Sequence, residues 1–353
     1  SVSGRVSPTD NAVGALAMVE PGTGNVKALA QSRPMGENRK KGESYLNYLV
    51  PKEYGDANGF QAGSTFKVFV GAAAIEKGFP LRQEIPSPAK RTFNQGSFAN
   101  CPGEGNFSPN PYPVGNSTTS GNKNLYTGTR ESVNTFYVRL EQFTGVCAPY
   151  ALAKKMGVSL TDPAHERVPS FTLGPVDVSP LEMAEAYATF GARGKHCDSR
   201  PVTEIVGPDG KTMKEYASSC EQVMRTGTAD AMNDILRGVL QPGGFGQRLA
   251  LGVPSAGKTG TTNSNRAVWF NGYTPKLATA SMIAVANDEG KWVSLNGQRL
   301  RGGYVASASG STVAGPMWAD AMRAIDGKLG SASFVRPGAS VVNGKGVKIP
   351  KVE

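Results

Sequence analysis

Residues 64–77 read STFKVFVGAAAIEK, and this stretch decides both the fold and the chemistry of the chain. Its apolar side chains, such as Val68 and Ala72, recur at helical spacing and predict a buried helix over the whole stretch. Ser64 and Lys67 lie one turn apart at the start of that helix. Side chains at this spacing are neighbours on a helix surface, so the lysine amine can reach the serine hydroxyl.

Two further short motifs follow in order, Ser132-Val133-Asn134 and Lys258-Thr259-Gly260. Taken alone, the first is more often a helix cap, provided by Ser132 or Asn134, and the second is more often a strand that ends in a turn. All three motifs in this order, in fitting local structure, indicate a serine nucleophile that is served by lysine instead of histidine.

The chemistry of such a set assigns a role to each side chain. A serine hydroxyl needs a base within hydrogen-bond reach, and Lys67 can be that base only when it is neutral. Lys258, as a second cation, would lower the pKa of Lys67. We expect Ser132 and Asn134 on the same side of an extended segment. There Ser132 would relay a proton, and Asn134 would hold Lys67 and a carbonyl of the substrate.

The third motif predicts an edge strand beside the nucleophile. In a strand the side chains alternate between two faces, with Lys258, Gly260 and Thr262 on one and Thr259 and Thr261 on the other. Gly260 would let a ligand backbone approach closely, so an extended peptide can bind along this strand. We expect the N–H groups of Ser64 and Thr261 to form an oxyanion hole, an arrangement typically worth ~3–4 kcal/mol.

Composition places the chain among ordinary globular proteins. The 353 residues are 39% apolar and 19% charged, and no segment approaches the ~18 consecutive apolar residues of a membrane span. The net charge is +10, which fits a solvated surface or attraction to an anionic polymer or headgroup. The basic residues are scattered, and the cluster Arg39-Lys40-Lys41 has no interleaved aromatics, so we do not expect nucleic acid as a partner.

Four cysteines permit two disulfides in three possible connectivities. We expect Cys197–Cys220, which closes a moderate loop and stabilises the fold by roughly 3 kcal/mol, and Cys101–Cys147 by elimination. The alternative is four buried thiols in a cytosolic protein. No C-x-x-C pair occurs. His196 adjoins Cys197, but no second pair of ligands accompanies these two residues, so we expect no metal site.

The order of elements predicts one antiparallel sheet assembled from distant parts of the chain. Apolar segments that predict strands are 13–19, 26–30, 256–262, 267–273 and 277–286. They enclose a helical middle whose helices would cover both faces of the sheet. A helix is expected from the capping box at Ser179, another is expected to be capped by Thr228, and 94–124 is expected as a long loop at the rim of a cleft.

At this point the chain resembles a known family, the transpeptidase domains of penicillin-binding proteins, and most of all the class A, bifunctional members. Besides the three motifs, the resemblance is carried by the segments 20–24 (EPGTG), 178–184 (VSPLEMA) and 269–275 (WFNGYTP). It implies an α/β (α+β) fold with a five-stranded antiparallel sheet flanked by helices. It also implies a linker stub at 1–11, a transpeptidase domain at 12–330 and a tail at 331–353.

The resemblance further implies a function. Ser64 would be acylated by the D-Ala-D-Ala end of a peptidoglycan stem peptide or by a β-lactam, and a neighbouring stem would then be cross-linked. Lys258, Thr259 and Thr261 would hold the terminal carboxylate. No cofactor is implied. Class A members have an N-terminal glycosyltransferase domain and a membrane anchor, which places the full-length protein on the extracytoplasmic face of a bacterial membrane; this chain is expected to be a soluble part of it.

Two other functions share the acylating set. A serine β-lactamase would need a second base aimed at water, and neither Glu166 nor Asp177 lies in a motif of that kind. A penicillin sensor without catalytic turnover would need a transmembrane signalling partner. The lifetime of the acyl-enzyme separates a transpeptidase from a lactamase.

Overall fold

A computed structural model describes residues 1–287, 289–330 and 332–347. The last six residues of the predicted tail lie outside this part of the chain. None of the helices within these ranges is both long enough and apolar enough to cross a membrane.

The main sheet is antiparallel throughout and joins the two ends of the chain. Its strands are β1 (Ala12–Val19), β2 (Val26–Gln31), β3 (Ala256–Thr261), β4 (Ala267–Tyr273), β5 (Ala278–Ala286) and the two-residue β6 (Trp292–Val293). The spatial order is β3-β4-β5-β1-β2, and β6 pairs with the end of β5. The predicted class and the antiparallel sheet are confirmed, and the expected five strands are extended by this short sixth strand.

The centre of the sheet is covered on both faces, which explains the almost continuous apolar sequence of β1, β4 and β5. All eight residues of β1 are buried. Val13 and Ala15 belong to the larger core, whereas Leu16 and Met18 belong to a second core on the opposite face. This alternation follows from the period of two in a strand and fixes the register of the pairs in the sheet centre.

Most of the longer helices pack in the larger core, and the last of them packs in the second core. The helices of six residues or more are α1 (Lys67–Glu76), α2 (Leu125–Arg130), α3 (Asn134–Thr144), α4 (Cys147–Lys155), α5 (Pro180–Gly191), α6 (Thr226–Arg237) and α7 (Gly315–Arg323). The predicted capping box of α5 is confirmed, because Ser179 and Glu182 bond each other's backbone N–H groups. The cap predicted at Thr228 is wrong: α6 begins at Thr226, two residues earlier.

The segment 94–124 is more ordered than a long loop. Strand Lys90–Asn94 pairs with Pro111–Gly115, and Ile85–Ser87 pairs with Gly121–Lys123. These strands are short and largely polar, so their pattern is weak in the sequence. The turn that follows Gly115 lines a cleft, in agreement with the prediction that 94–124 lies at the rim of one.

The segment 1–11 and a described part of the tail pack onto the rest of the fold. Val2 and Val6 are buried in the second core, and Val2–Arg5 forms a helical turn. In the tail, a short helix at Ala339–Asn343 packs beside α6, and the Leu81 N–H donates to the carbonyl of Val342. The boundaries of the transpeptidase domain therefore stay a prediction.

Two disulfides join the cysteines in the predicted pairs. Cys101 is bonded to Cys147, 46 residues along the chain, and Cys197 to Cys220, 23 residues along. The second bond connects two strands that are paired at these same two residues. The second disulfide therefore closes a loop whose ends already meet in a strand pair.

We expect no thiol to react with iodoacetamide in the unfolded, unreduced protein, and four to react after reduction. The reason is that each cysteine is held in a bond that unfolding alone does not break. Mass spectrometry of the alkylated protein measures this directly. Any alkylation before reduction would show that a pair is open.

Candidate active site

Ser64 lies in a tight turn that precedes the helix. Residues Gly63–Phe66 form a 3₁₀ turn, and the α-helix begins only at Lys67, so the expected helix start at Ser64 is wrong by three residues. The i and i+3 side chains eclipse in a 3₁₀ turn, and Ser64 and Lys67 still meet. The Lys67 Nζ lies 3.0 Å from the Ser64 Oγ.

Lys67 is buried at the centre of the three motifs. Its Nζ donates to the Asn134 Oδ1 at 2.7 Å and to the carbonyl of Ser132 at 2.7 Å, and it lies 3.2 Å from the Ser132 Oγ. The ring of Tyr137 stands 5.7 Å from the same nitrogen. The side chain has no exposed surface. One amine is thus within reach of both hydroxyls of the site.

The segment at Ser132 is a reversal of the backbone and not an extended strand. Ser132 has a φ of 53°, in the left-handed region that serine rarely adopts, and Asn134 begins α3. Neither Ser132 nor Asn134 caps that helix with its side chain. The left-handed conformation, which costs about 1 kcal/mol or more, turns both the carbonyl and the hydroxyl of Ser132 towards Lys67.

Lys258 approaches the same hydroxyl from the sheet. Its Nζ donates to the Ser132 Oγ at 2.7 Å and to the carbonyl of Thr259 at 2.9 Å. Ser132 therefore lies between two lysine amines that come from α1 and from β3. A hydroxyl in this position connects the two nitrogens through hydrogen bonds.

Burial lowers the pKa of both lysines. The pKa of Lys67 falls well below its ordinary value, first because its ammonium is removed from water and second because Lys258 is a like charge nearby. Burial alone lowers the pKa of Lys258 to about 7. A lowered pKa raises the neutral fraction of an amine, which the predicted role of Lys67 as a base requires.

The edge strand meets the nucleophile's turn directly. A Cβ at Gly260 would lie 2.7 Å from the Thr65 Cγ2 and 3.1 Å from the carbonyl of Ala62. The sequence predicted that a ligand backbone would approach Gly260 closely. In the structure it is the turn at 62–65 that approaches this residue. Glycine here lets β3 pack against the residues that carry Ser64.

The backbone of β3 presents N–H groups to its open side. The Thr262 N–H donates to the carbonyl of Ala267 on β4, so by alternation the N–H of Thr261 points away from β4. β4 is the one strand of the main sheet that pairs with β3 in the described chain. The direction of the Thr261 N–H is the one that an oxyanion hole beside Ser64 needs.

These groups line an open cleft of about 620 Å³. Ser64, Ser132, Asn134, Thr259 and Thr261 all face it, so the structure brings together the predicted residues that lie beside the nucleophile. Lys67 and Lys258 lie just beneath its surface and reach it through Ser64 and Ser132. The cleft is also lined by residues 307–311, of which Gly310 bonds the Thr261 hydroxyl, and by Phe245.

Several residues that build the site were not predicted. The Gly63 N–H donates to the carbonyl of Gly174, which fixes the turn before Ser64, and the Asn134 Nδ2 donates to the carbonyl of Gly115, which orients the amide. Tyr137 lies against Lys67. Local pattern does not reveal the first two contacts, because each joins segments that are distant in sequence. The signal for Tyr137 was its place one turn after Asn134 on a buried helix face.

Comparison with known proteins agrees with this site. The sequence matches the family described as "Penicillin binding protein transpeptidase domain" over residues 14–322. Penicillin-binding protein 1A of Aquifex aeolicus is 27% identical over 93% of this chain and 40% of its own length. Penicillin-binding protein 1A of Neisseria cinerea is 30% identical over 81% of this chain and 34% of its own length. The chain thus spans well under half of these relatives.

Solved structures show the same fold. PonA1 from Mycobacterium tuberculosis, a penicillin-binding protein, superposes with a TM-score of 0.73 over 97% of this chain and 84% of that one, at 22% identity. The structure of PonA1 in complex with penicillin V superposes with a TM-score of 0.67 at 23% identity, over 97% of this chain and 85% of that one. The match to the family covers most of the described fold and all three motifs, and the chain therefore belongs to the penicillin-binding protein transpeptidase domain family.

Proposed function

We propose that this chain is a serine D-alanyl-D-alanine transpeptidase that cross-links peptidoglycan stem peptides and is acylated by β-lactams. The observation that carries the proposal is the buried amine of Lys67, placed between the hydroxyls of Ser64 and Ser132. Membership of the family supports the reaction class. The relatives span further sequence, so the reaction proposed here is that of the part which this chain covers.

In the acylation step the Ser64 Oγ attacks the carbonyl carbon of the penultimate D-alanine, and neutral Lys67 takes the hydroxyl proton. The N–H groups of Ser64 and Thr261 stabilise the negative oxygen that forms. The C–N bond then breaks, and the leaving amine receives a proton through the hydroxyl of Ser132. The products of this step are the Ser64 ester and D-alanine.

In the second step the amine of a neighbouring stem attacks the ester carbonyl. The same groups act in reverse: the proton of the amine returns through Lys67 to the Ser64 Oγ as the ester bond breaks. A β-lactam follows the first step alone, since its amide is in a ring and its leaving amine stays attached.

Substrate binding is assigned to the open side of β3 and to the residues above it. The positive charge of Lys258, with the hydroxyls of Thr259 and Thr261, holds the terminal carboxylate of the donor. The amide of Asn134, which Gly115 orients, binds a carbonyl of the peptide. The donor backbone then lies along β3, where N–H groups face the cleft.

We place the protein at the extracytoplasmic face of a bacterial membrane, where stem peptides are joined. Two disulfides support this location, because they persist in oxidising compartments. A glycosyltransferase domain in the full-length protein is part of the same proposal. The share of the relatives that this chain spans leaves room for one.

Peptide mapping of the protein labelled with penicillin tests the assignment of the nucleophile. We expect the adduct mass on the tryptic peptide 53–67, which contains Ser64, and no adduct in Ser64→Ala. Ser340→Ala, a change at an exposed serine away from the cleft, should label as the natural sequence does. An adduct on another peptide would refute the proposed nucleophile.

The lifetime of the same adduct separates the proposal from a β-lactamase. No carboxylate contacts Ser64 among the described residues, so we expect hydrolysis of the ester to be slow and the adduct to last many minutes. Turnover of penicillin within seconds would instead indicate a lactamase.

A further inference from the structure

A cluster of metal-ligating side chains lies away from the cleft, between α5 and the ribbon that the second disulfide closes. It consists of Glu185 on α5, His196 on the strand Lys195–Cys197 and Asp198 just after that strand. Glu185 and His196 are buried, and Asp198 is exposed. We propose that this cluster is a binding site for a divalent transition-metal ion of the Zn²⁺ type, which ties the ribbon to the helix.

The distances between the ligand atoms fit a shared ion. The His196 Nε2 lies 3.2 Å from a carboxylate oxygen of Glu185 and 3.4 Å from one of Asp198, and all three atoms are within 4.8 Å of one another. Zn²⁺ binds nitrogen and oxygen at about 2.0–2.1 Å in tetrahedral geometry, so neighbouring ligand atoms are roughly 3.3 Å apart.

Protons alone satisfy this arrangement poorly. The His196 Nε2 carries at most one proton, yet two carboxylate oxygens face it. A single proton on that nitrogen can at best be shared between the two oxygens, at 3.2 and 3.4 Å. A metal ion in place of that proton binds the lone pairs of all three atoms at once.

Neighbouring groups hold the ligands in orientation. The His196 Nδ1 lies 3.3 Å from the hydroxyl of Thr189, which leaves the Nε2 for an ion, and the second oxygen of Glu185 accepts the N–H of Ser199 at 2.9 Å. Supporting bonds of this kind are a regular feature of metal sites. Gly157 keeps the space open, because a Cβ there would lie 2.1 Å from the Glu185 oxygen that faces His196.

The sequence predicts no metal site here, because Glu185 is separated from His196 by the end of a helix and a turn. The two meet only because the ribbon folds back onto α5. The strand partner directly opposite His196 is Glu221, which adds a further negative residue to the same ribbon. Asp198, as the exposed member, is the ligand at which an ion would enter from solvent.

Calorimetric titration of ZnCl₂ into tag-free protein, first stripped with EDTA and kept unreduced, tests the proposal. We expect one ion per chain with a Kd in the low micromolar range or below, and a rise in Tm on addition of Zn²⁺. His196→Gln should weaken binding at least tenfold and abolish the rise in Tm. His165→Gln changes the other histidine, which is largely exposed, and should bind as the natural sequence does.

Asp198→Asn provides a variant whose folding is not at risk, since this side chain is exposed. We expect it to weaken Zn²⁺ binding about tenfold, with labelling by penicillin unchanged. The proposal fails if the natural sequence binds no Zn²⁺ at 100-fold molar excess. It also fails if His196→Gln and Asp198→Asn bind as tightly as the natural sequence does. Labelling of Ser64 is measured separately, so either result leaves the proposed transpeptidase function untouched.

Discussion

Replacing Lys67 by alanine is expected to abolish acylation of Ser64 while the domain stays folded. The change removes the base and also the amine that bonds the carbonyl of Ser132 and the amide of Asn134. Loss of a positioned base typically costs 10²–10⁴-fold, and loss of the contacts that align the motifs adds to it. We therefore expect the acylation rate constant with a fluorescent penicillin to fall roughly 10³-fold or more.

The matched control is Lys77→Ala, at the other end of the same helix. Lys77 is exposed and bonds the carbonyl of Thr144, so its removal tests the effect of losing a lysine of this helix with a backbone partner. We expect near-normal acylation from this variant. Far-ultraviolet circular dichroism should show both variants folded. If Lys67→Ala acylated at the natural rate, lysine would have no part in the mechanism.

The local chemistry of the site could be predicted because each motif consists of a few neighbouring residues whose side chains define its role. Residues three apart are neighbours both in an α-helix and in a 3₁₀ turn. The predicted contact between Ser64 and Lys67 is therefore present, although Ser64 lies in a 3₁₀ turn and not in the predicted helix. The strands were also predictable, since a sheet buried on both faces has strands that are apolar almost throughout.

Other features depend on partners that no local pattern reveals. Ser132 adopts a left-handed conformation because Lys67 and Lys258 hold it from two sides, and serine itself does not favour that conformation. The short strands within 85–123 bury at most two side chains each, such as Phe93 or Val114, so their apolar alternation is too short to stand out in the sequence. The N-terminal segment contains only two valines that mark it as part of the core.

Replacing Lys258 by alanine should weaken acylation and also displace its pH dependence. In the natural sequence we expect a bell-shaped profile. Acylation falls at low pH as Lys67 gains a proton, and it falls at high pH as Lys258, with a pKa of about 7, loses the charge that binds the donor carboxylate. Both amines contact the Ser132 hydroxyl, so their titrations are coupled. The two apparent pKa values of the profile therefore describe the pair of lysines.

The direction of the displacement follows from the sign of the charges. Lys258 is a like charge that lowers the pKa of Lys67, so its removal raises that pKa and moves the acid limb to higher pH. The alkaline limb should disappear with the group that causes it. Loss of the carboxylate contact and of the bond to Ser132 should also reduce the maximal acylation efficiency about 10²-fold or more.

Stopped-flow acylation with penicillin between pH 5 and 10 measures both limbs. Lys258→Arg keeps a positive charge, so its acid limb should stay near that of the natural sequence even where the altered shape slows the reaction. Lys276→Ala, an exposed lysine in the turn between β4 and β5, should leave the whole profile unchanged. An acid limb that does not move in Lys258→Ala would mean that Lys258 does not lower the pKa of Lys67. Burial, which is its first cause, would then account for the neutral amine without help from the second lysine.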